Sequence, residues 1–306
     1  MITRQEISQF FIIILFQSIL FSQDDLISIP ETLDSDQSYF SILISPDKSY
    51  IGLTNSNYTT LEIINQKTLK NAKVSVPFIN TFHAKWSPDS QKLLLLRSKY
   101  DNKRRANSLI LINQKGDFVK TIVDFTNQNL YPLGWTVRNT LHYLSGDKLI
   151  TYSLEDSDNE WDHPLVYAIK NKLYRKINDQ EHETIYTAEN RILNVSSSRD
   201  GSLVAFEVYG SHVIIIENLK VITTDLGIGN GPQVSPNGKM VTFMVHEDNG
   251  YQITSGDVYT WDSVSKEIKA VAHDPEVIEM NPVWSSDILV SYIIYPEGLV
   301  KTVSIK

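Results

Sequence analysis

Seven histidines and one acidic stretch are the residues of this chain whose types could hold a metal or move a proton. The histidines, His83, His142, His163, His182, His212, His246 and His273, are scattered without ligand spacing, and no H-E-x-x-H occurs, so no His-based metal site is expected. The stretch LEDSDNEWDHP carries Glu155, Asp156, Asp158, Glu160 and Asp162. Alternating acids suit calcium, yet Trp161 stands where a calcium loop needs Gly for its sharp turn, so the expectation is a solvated acidic loop. Calcium is the one cofactor left open. There is no G-x-S-x-G elbow for a serine nucleophile. With no Cys, disulfides, thiolate chemistry and Cys-ligated metals are excluded.

Asp47, Asp89, Asp200 and Asp287 recur, with Asn237 in the same place, and invite reading as a ring of carboxylates. Their surroundings argue for turns instead. Each lies in a cassette: ISPDKSYIGLTN from Ile44, WSPDSQKLLLLRS from Trp86, SSRDGSLVAFEV from Ser197, VSPNGKMVTFMV from Val234 and WSSDILVSYIIY from Trp284. Pro presets φ at the first central turn position, and Asp or Asn bonds nearby backbone N–H groups. The β-branched and aromatic run that follows wants a pleated sheet.

The turn residues are separated by 42, 111, 37 and 50 positions, and the long gap is wide enough for two repeats, which asks for a hidden unit in between. NLYPLGWTVRNTLHYLSGDKLITYSLED supplies it, with Trp135 in the place of Trp86 and Trp284 and a degenerate turn at Thr136 to Asn139. That makes six units of about 40 to 45 residues, each read as four short strands, and repeats of this size around an axis are a β-propeller. The expected fold is therefore all-β, a six-bladed propeller of four-stranded blades spanning 24–306. The sixth unit is one strand short at Lys306, and Asp24 to Leu33 would supply it, closing the ring with an N-terminal strand.

The run GDVYTWDSVSKEIKAVAHDPEVIEMNPVWSSD, with WSPDS at Trp86 and SRDG at Arg199, resembles the six-bladed propeller of the TolB family and related WD-like repeats. Asp257, Asp262, His273, Asp274, Pro275, Pro282, Trp284, Ser285 and Asp287 match the family order. Lys48 and Ser90 stand where Gly is usual, and Ser286 where Pro is usual. The resemblance implies a TolB-like propeller without the family's N-terminal α/β domain. Fold does not fix function, so a Tol role does not follow from it.

Residues 1–23 have the layout of a secretory signal peptide: Arg4, an apolar run from Phe10 to Leu20, and Ser22 and Gln23 as a cleavage region. The run is too short to span a membrane comfortably, so no transmembrane segment is expected after cleavage. An exported chain without Cys suits a bacterial periplasm, so a periplasmic or secreted location is expected. The net charge of −8 argues against a nucleic-acid partner. The basic cluster Lys99, Lys103, Arg104 and Arg105 reads as a solvated loop tip.

Residues just ahead of each cassette should ring the channel mouth: Tyr39, Phe82, His83, Tyr131, Asn194, Gln233 and Asn281. Aromatics mixed with amides suit a peptide or partner loop. The expectation is a monomeric, non-catalytic propeller that binds a protein or peptide partner of the cell envelope at its channel face. The alternative is a lyase or glycosidase acting on a polysaccharide, in which carboxylates from several blades converge.

Overall fold

The computed structural model describes residues 38–305, apart from 56, 75, 102, 138, 156–160, 179–181, 211 and 219–221. The described residues form 25 strands in seven antiparallel sheets. The expected strands of the WSPDS and SPNG units are all present, at 79–126 and 230–272. Each sheet meanders outward from an inner strand. The inner strands, in blade order, are Tyr39–Ile44, Ile79–Trp86, Leu130–Val137, Leu165–Ile169, Ile192–Ser197, Asn230–Val234 and Ile278–Trp284. Among the described residues blades 1, 2, 5 and 6 have four strands, and blades 3, 4 and 7 have three.

The count of six is corrected to seven. The unit missed is blade 4, whose three strands are Leu165–Ile169, Lys172–Lys176 and His182–Thr187. It lacks the cassette because its inner hairpin turns on two residues, with Ile169 paired to Lys172 and Lys170 at φ 57. Such a turn takes its bend from left-handed backbone rather than from a Ser, Pro and Asp network. Among the described residues blades 3, 4 and 7 show three strands rather than the four expected of every blade. The strand expected from Asp24 to Leu33 and the signal segment lie outside the described residues.

Seven apolar clusters hold the ring together, one at each interface between successive blades. The second strand of a blade is covered on both faces, which explains its near-continuous apolar runs. Leu93, Leu94, Leu95 and Leu96 alternate between the clusters shared with blade 1 and with blade 3. Leu203 to Phe206 do the same in blade 5. The seam between blades 7 and 1 packs Ile293 against Tyr39, Ile42, Ile51, Leu53 and Ile64. Across that seam Asn281 Nδ2 donates to the Phe40 carbonyl at 2.6 Å.

The turns of four of the five cassettes share one hydrogen-bond network; in the fifth, Ser285 Oγ pairs with Ser291 Oγ instead. In blade 1, Ser45 Oγ donates to Asp47 Oδ1 at 2.7 Å and accepts from the Tyr50 N–H at 2.9 Å, while Asp47 accepts from the Ser49 N–H at 3.0 Å. Ser87 with Asp89, Ser198 with Asp200 and Ser235 with Asn237 repeat it. Asp47, Asp89 and Asp200 are thus turn residues, as expected. The next position is left-handed in all four turns: Lys48 at φ 62, Ser90 at 59, and Gly201 and Gly238 at 69. A side chain in that region carries a steric cost that Gly avoids, partly offset by the greater chain entropy of Gly. Lys48→Gly is therefore expected to stabilise by about 0.5–1 kcal/mol, seen as a melting temperature raised by a few degrees. A lowered melting temperature would refute the account of this turn.

Tryptophans tie neighbouring blades. Trp284 Nε1 donates to the Gln233 carbonyl of blade 6 at 2.8 Å, and Trp135 Nε1 to the Lys85 carbonyl of blade 2 at 3.5 Å. Trp86 stacks on Tyr50 of blade 1 with ring centroids 6.0 Å apart. These rings pack between blades, as their position beside the turns predicts.

Candidate functional site

The inner strands carry a second repeated device, four residues ahead of the turn serine. His83, Asn194, Gly231 and Asn281 have φ of 59, 47, 57 and 52 and precede Ser87, Ser198, Ser235 and Ser285. In each strand the ladder register shifts at that place. A bulge with one left-handed residue bends the strand and re-aims side chains, and Asn and Gly tolerate that conformation best. The freed backbone donors find partners on the preceding blade's second strand. The Gly231 N–H reaches Glu207 Oε2 at 3.2 Å, and the Asn281 N–H reaches Met244 Sδ at 3.3 Å. Asn194 Nδ2 also donates to Glu207 Oε2, at 2.8 Å.

Two of the expected site residues, Asn194 and Asn281, therefore have a backbone reason for their identity, and their amides are engaged within the fold. Tyr39 lies in the core of the seam and is 6% exposed. Gln233 is exposed, and its carbonyl holds Trp284. Phe82 lies on the inner strand of blade 2; its side chain is outside the description. His83, Tyr131 and Asn194 come together.

They line a cavity of about 870 Å³ bounded by the inner strands of blades 2 to 5. The cluster between blades 3 and 4 borders it, with Leu144, Leu165 and Tyr167 buried and Tyr131 and Leu133 packed against them. Leu133, Leu144, Val166 and Tyr167 give the cavity an apolar wall. The His83 and Tyr131 rings lie 4.2 Å apart between centroids. Burial, reinforced by the Lys85 charge, pulls His83 down to about 3, so its imidazole is neutral at pH 7. Burial pushes the Tyr131 hydroxyl up to about 12, with the Arg191 charge pulling the other way, so the phenol stays protonated. Lys85 is held below the usual lysine range by burial.

Lys85, Arg105 and Arg191 line the same cavity and were missed as site residues. Lys85 had a sequence signal: a lone charge in FHAKW, between residues of a strand that faces the ring axis. Arg105 belongs to the basic cluster read as a loop tip. The register of its hairpin pairs Arg105 with Tyr100 and Ser98 with Asn107, placing Arg105 on the cavity face, whereas Lys99 lies over the Phe125 ring at 4.4 Å. Arg191 precedes the inner strand of blade 5 and carries no local signal.

The histidines do not converge. His142 is buried between Thr136 Oγ1 at 2.8 Å and Thr151 Oγ1 at 3.2 Å, and His273 pairs with Asp257 at 2.9 Å. Among the described residues no three His, Asp or Glu side chains are grouped to hold a metal ion. Residues 156–160 of the acidic loop lie outside the description. The cavity's two acids are Asp147, paired with Lys170 at 2.6 Å, and the exposed Glu189. Among the described residues no helix is long and apolar enough to cross a membrane.

No protein-family model matches the chain, and no curated protein sequence does. The solved structures are more informative. The β-propeller domain of Cps50 (Swd1) from Myceliophteria thermophila superposes with a TM-score of 0.63 at 12% identity, covering 91% of this chain and 99% of that one. TolB from Acinetobacter baumannii gives 0.51 at 16% identity, over 79% of this chain and 56% of TolB. An oligogalacturonate lyase in complex with manganese gives 0.50 at 13% identity, over 88% of this chain and 78% of the lyase. The likeness is one of fold. It shows a β-propeller fold, one that TolB and WD-type propellers share, and at these identities goes no further.

Proposed function

We propose that this protein is an exported binding module whose ligand is a segment of a protein or peptide, seated at the channel face over blades 2 to 5. The observation that carries this reading is the cavity of about 870 Å³, with one apolar wall and convergent polar groups from separate blades. That combination suits recognition: apolar and aromatic surface supplies affinity while a few fixed polar groups set orientation. Export rests on the N-terminal sequence, Arg4 followed by the apolar run from Phe10 to Leu20.

Panning a random-peptide phage library against the immobilised protein tests the reading. Peptides should be enriched whose binding falls at least tenfold in Tyr131→Ala, a change within the cavity. Binding should be unchanged in Phe118→Ala, on the outer strand of blade 2 and 54% exposed. Melting curves of both variants control for folding. Enriched peptides that bind the two variants equally, or no enrichment at all, would sink the proposal.

A further inference from the structure

The cavity has a charge that its surroundings do not. The chain as a whole carries −8, yet this mouth is lined by four cations, Lys85, Arg105, Lys170 and Arg191, against two acids, Asp147 and Glu189. Asp147 is spent on Lys170. Among the described residues no ion pair holds Lys85, Arg105 or Arg191; Arg105 makes a hydrogen bond to Ser98 Oγ at 2.9 Å. Three cations from blades 2 and 5 thus face one cavity in which Glu189 is the one acid not already paired.

Building on the peptide-binding reading above, we propose that the segment taken by this cavity is acidic, and that Lys85 and Arg191 bind a carboxylate of it beside Tyr131. Lys85 sits within the inner strand of blade 2, deeper than the exposed Arg191 at the rim, so the two mark a path inward. The protonated Tyr131 hydroxyl, close enough to Arg191 to feel its charge, can donate to the same carboxylate. His83 is neutral beside Lys85 and adds a polar face without a competing charge. A carboxylate entering here favours the charged form of Lys85, which burial opposes, so ligand binding and lysine charge reinforce each other. Charge-assisted bonds in a partly dehydrated site are stronger than their neutral counterparts. The apolar wall of Leu133, Val166 and Tyr167 leaves room for an aromatic or aliphatic neighbour on the same segment.

Fluorescence polarisation with three labelled probes tests this: an octapeptide alternating Glu and Tyr, the same peptide with Gln for every Glu, and trigalacturonate. The Glu peptide should bind at least tenfold more tightly than the Gln peptide in 50 mM salt, with the gap shrinking as salt rises. Lys85→Met and Arg191→Gln should each remove most of that gap while leaving the Gln peptide unchanged. Arg191 is exposed, so its variant keeps the test valid if Lys85→Met fails to fold. Equal binding of the two peptides would overturn the acidic preference and leave the peptide-binding reading standing. Binding of neither peptide would overturn both, and if trigalacturonate alone bound, the site would be assigned to uronates instead.

Discussion

Phe206→Ala should lower the stability of the whole ring by about 3–5 kcal/mol, the usual loss for a large aromatic removed from a closed core. Phe206 is 0% exposed, on the second strand of blade 5. It fills the interface with blade 4 together with Leu173, Val204 and Ile216, its ring 5.3 Å from that of Tyr186. The methylene and ring atoms removed have no substitute, because the neighbouring side chains are anchored in strands that cannot collapse inward without breaking ladders on either side. A fall of about 10 °C in melting temperature is expected, whereas Phe118→Ala on the exposed outer strand of blade 2 should shift it by a degree or two. Equal shifts for the two variants would show that the interblade cores do not carry the stability assigned to them.

The fold was legible wherever the backbone needed a side chain to make a turn. Ser45, Ser87, Ser198 and Ser235 each bond the chain in two directions, and that chemistry prints a readable cassette. Blade 4 was invisible to the same reading because its two-residue hairpin turn takes its bend from the left-handed backbone of Lys170. A signal existed all the same. The gap of 111 residues between Asp89 and Asp200 divides into three steps of 37, the separation of Asp200 from Asn237, and so has room for two hidden blades.

The site divides along a similar line. His83, Tyr131 and Asn194 were expected at the channel and lie together there, because position along an inner strand follows from the repeat. Tyr39 was expected with them and packs in the seam instead, since burial depends on which face of the strand a side chain takes, and the register shift at Tyr39/Ser41 changes that face. Arg105 and Arg191 reach the cavity only through tertiary placement, one from a long hairpin and one from the connection between blades. Where Asn recurs four residues before the turn serine, its identity reports a left-handed bulge first and any ligand second.

The second large effect is expected at Gly298, where the turn after the second strand of blade 7 meets the beginning of blade 1. Its φ is +72, and a Cβ there would lie 2.2 Å from the Tyr39 nitrogen and 2.6 Å from the carbonyl carbon and Cα of Ser38. These are backbone atoms, so no side-chain rotation relieves the clash. They are also tied in place, since Ser38 Oγ donates to the Pro296 carbonyl at 2.6 Å and the Gly298 N–H to the Ile294 carbonyl at 2.8 Å. Gly298→Ala must therefore push the first strand away from the last blade, disturbing the contact of Ile293 with Tyr39 and Ile42 that closes the ring. Gly250 separates the two costs, because it is equally left-handed at φ +83 but has nothing within 4 Å of the added carbon. Gly250→Ala should show only the conformational penalty, about 1 kcal/mol, while Gly298→Ala should lose a further 1–3 kcal/mol or more from forced overpacking. Urea unfolding of the two variants side by side measures the difference. If they unfold at the same midpoint, the seam yields freely, and side-by-side packing of blades 7 and 1 is not what holds the ring closed.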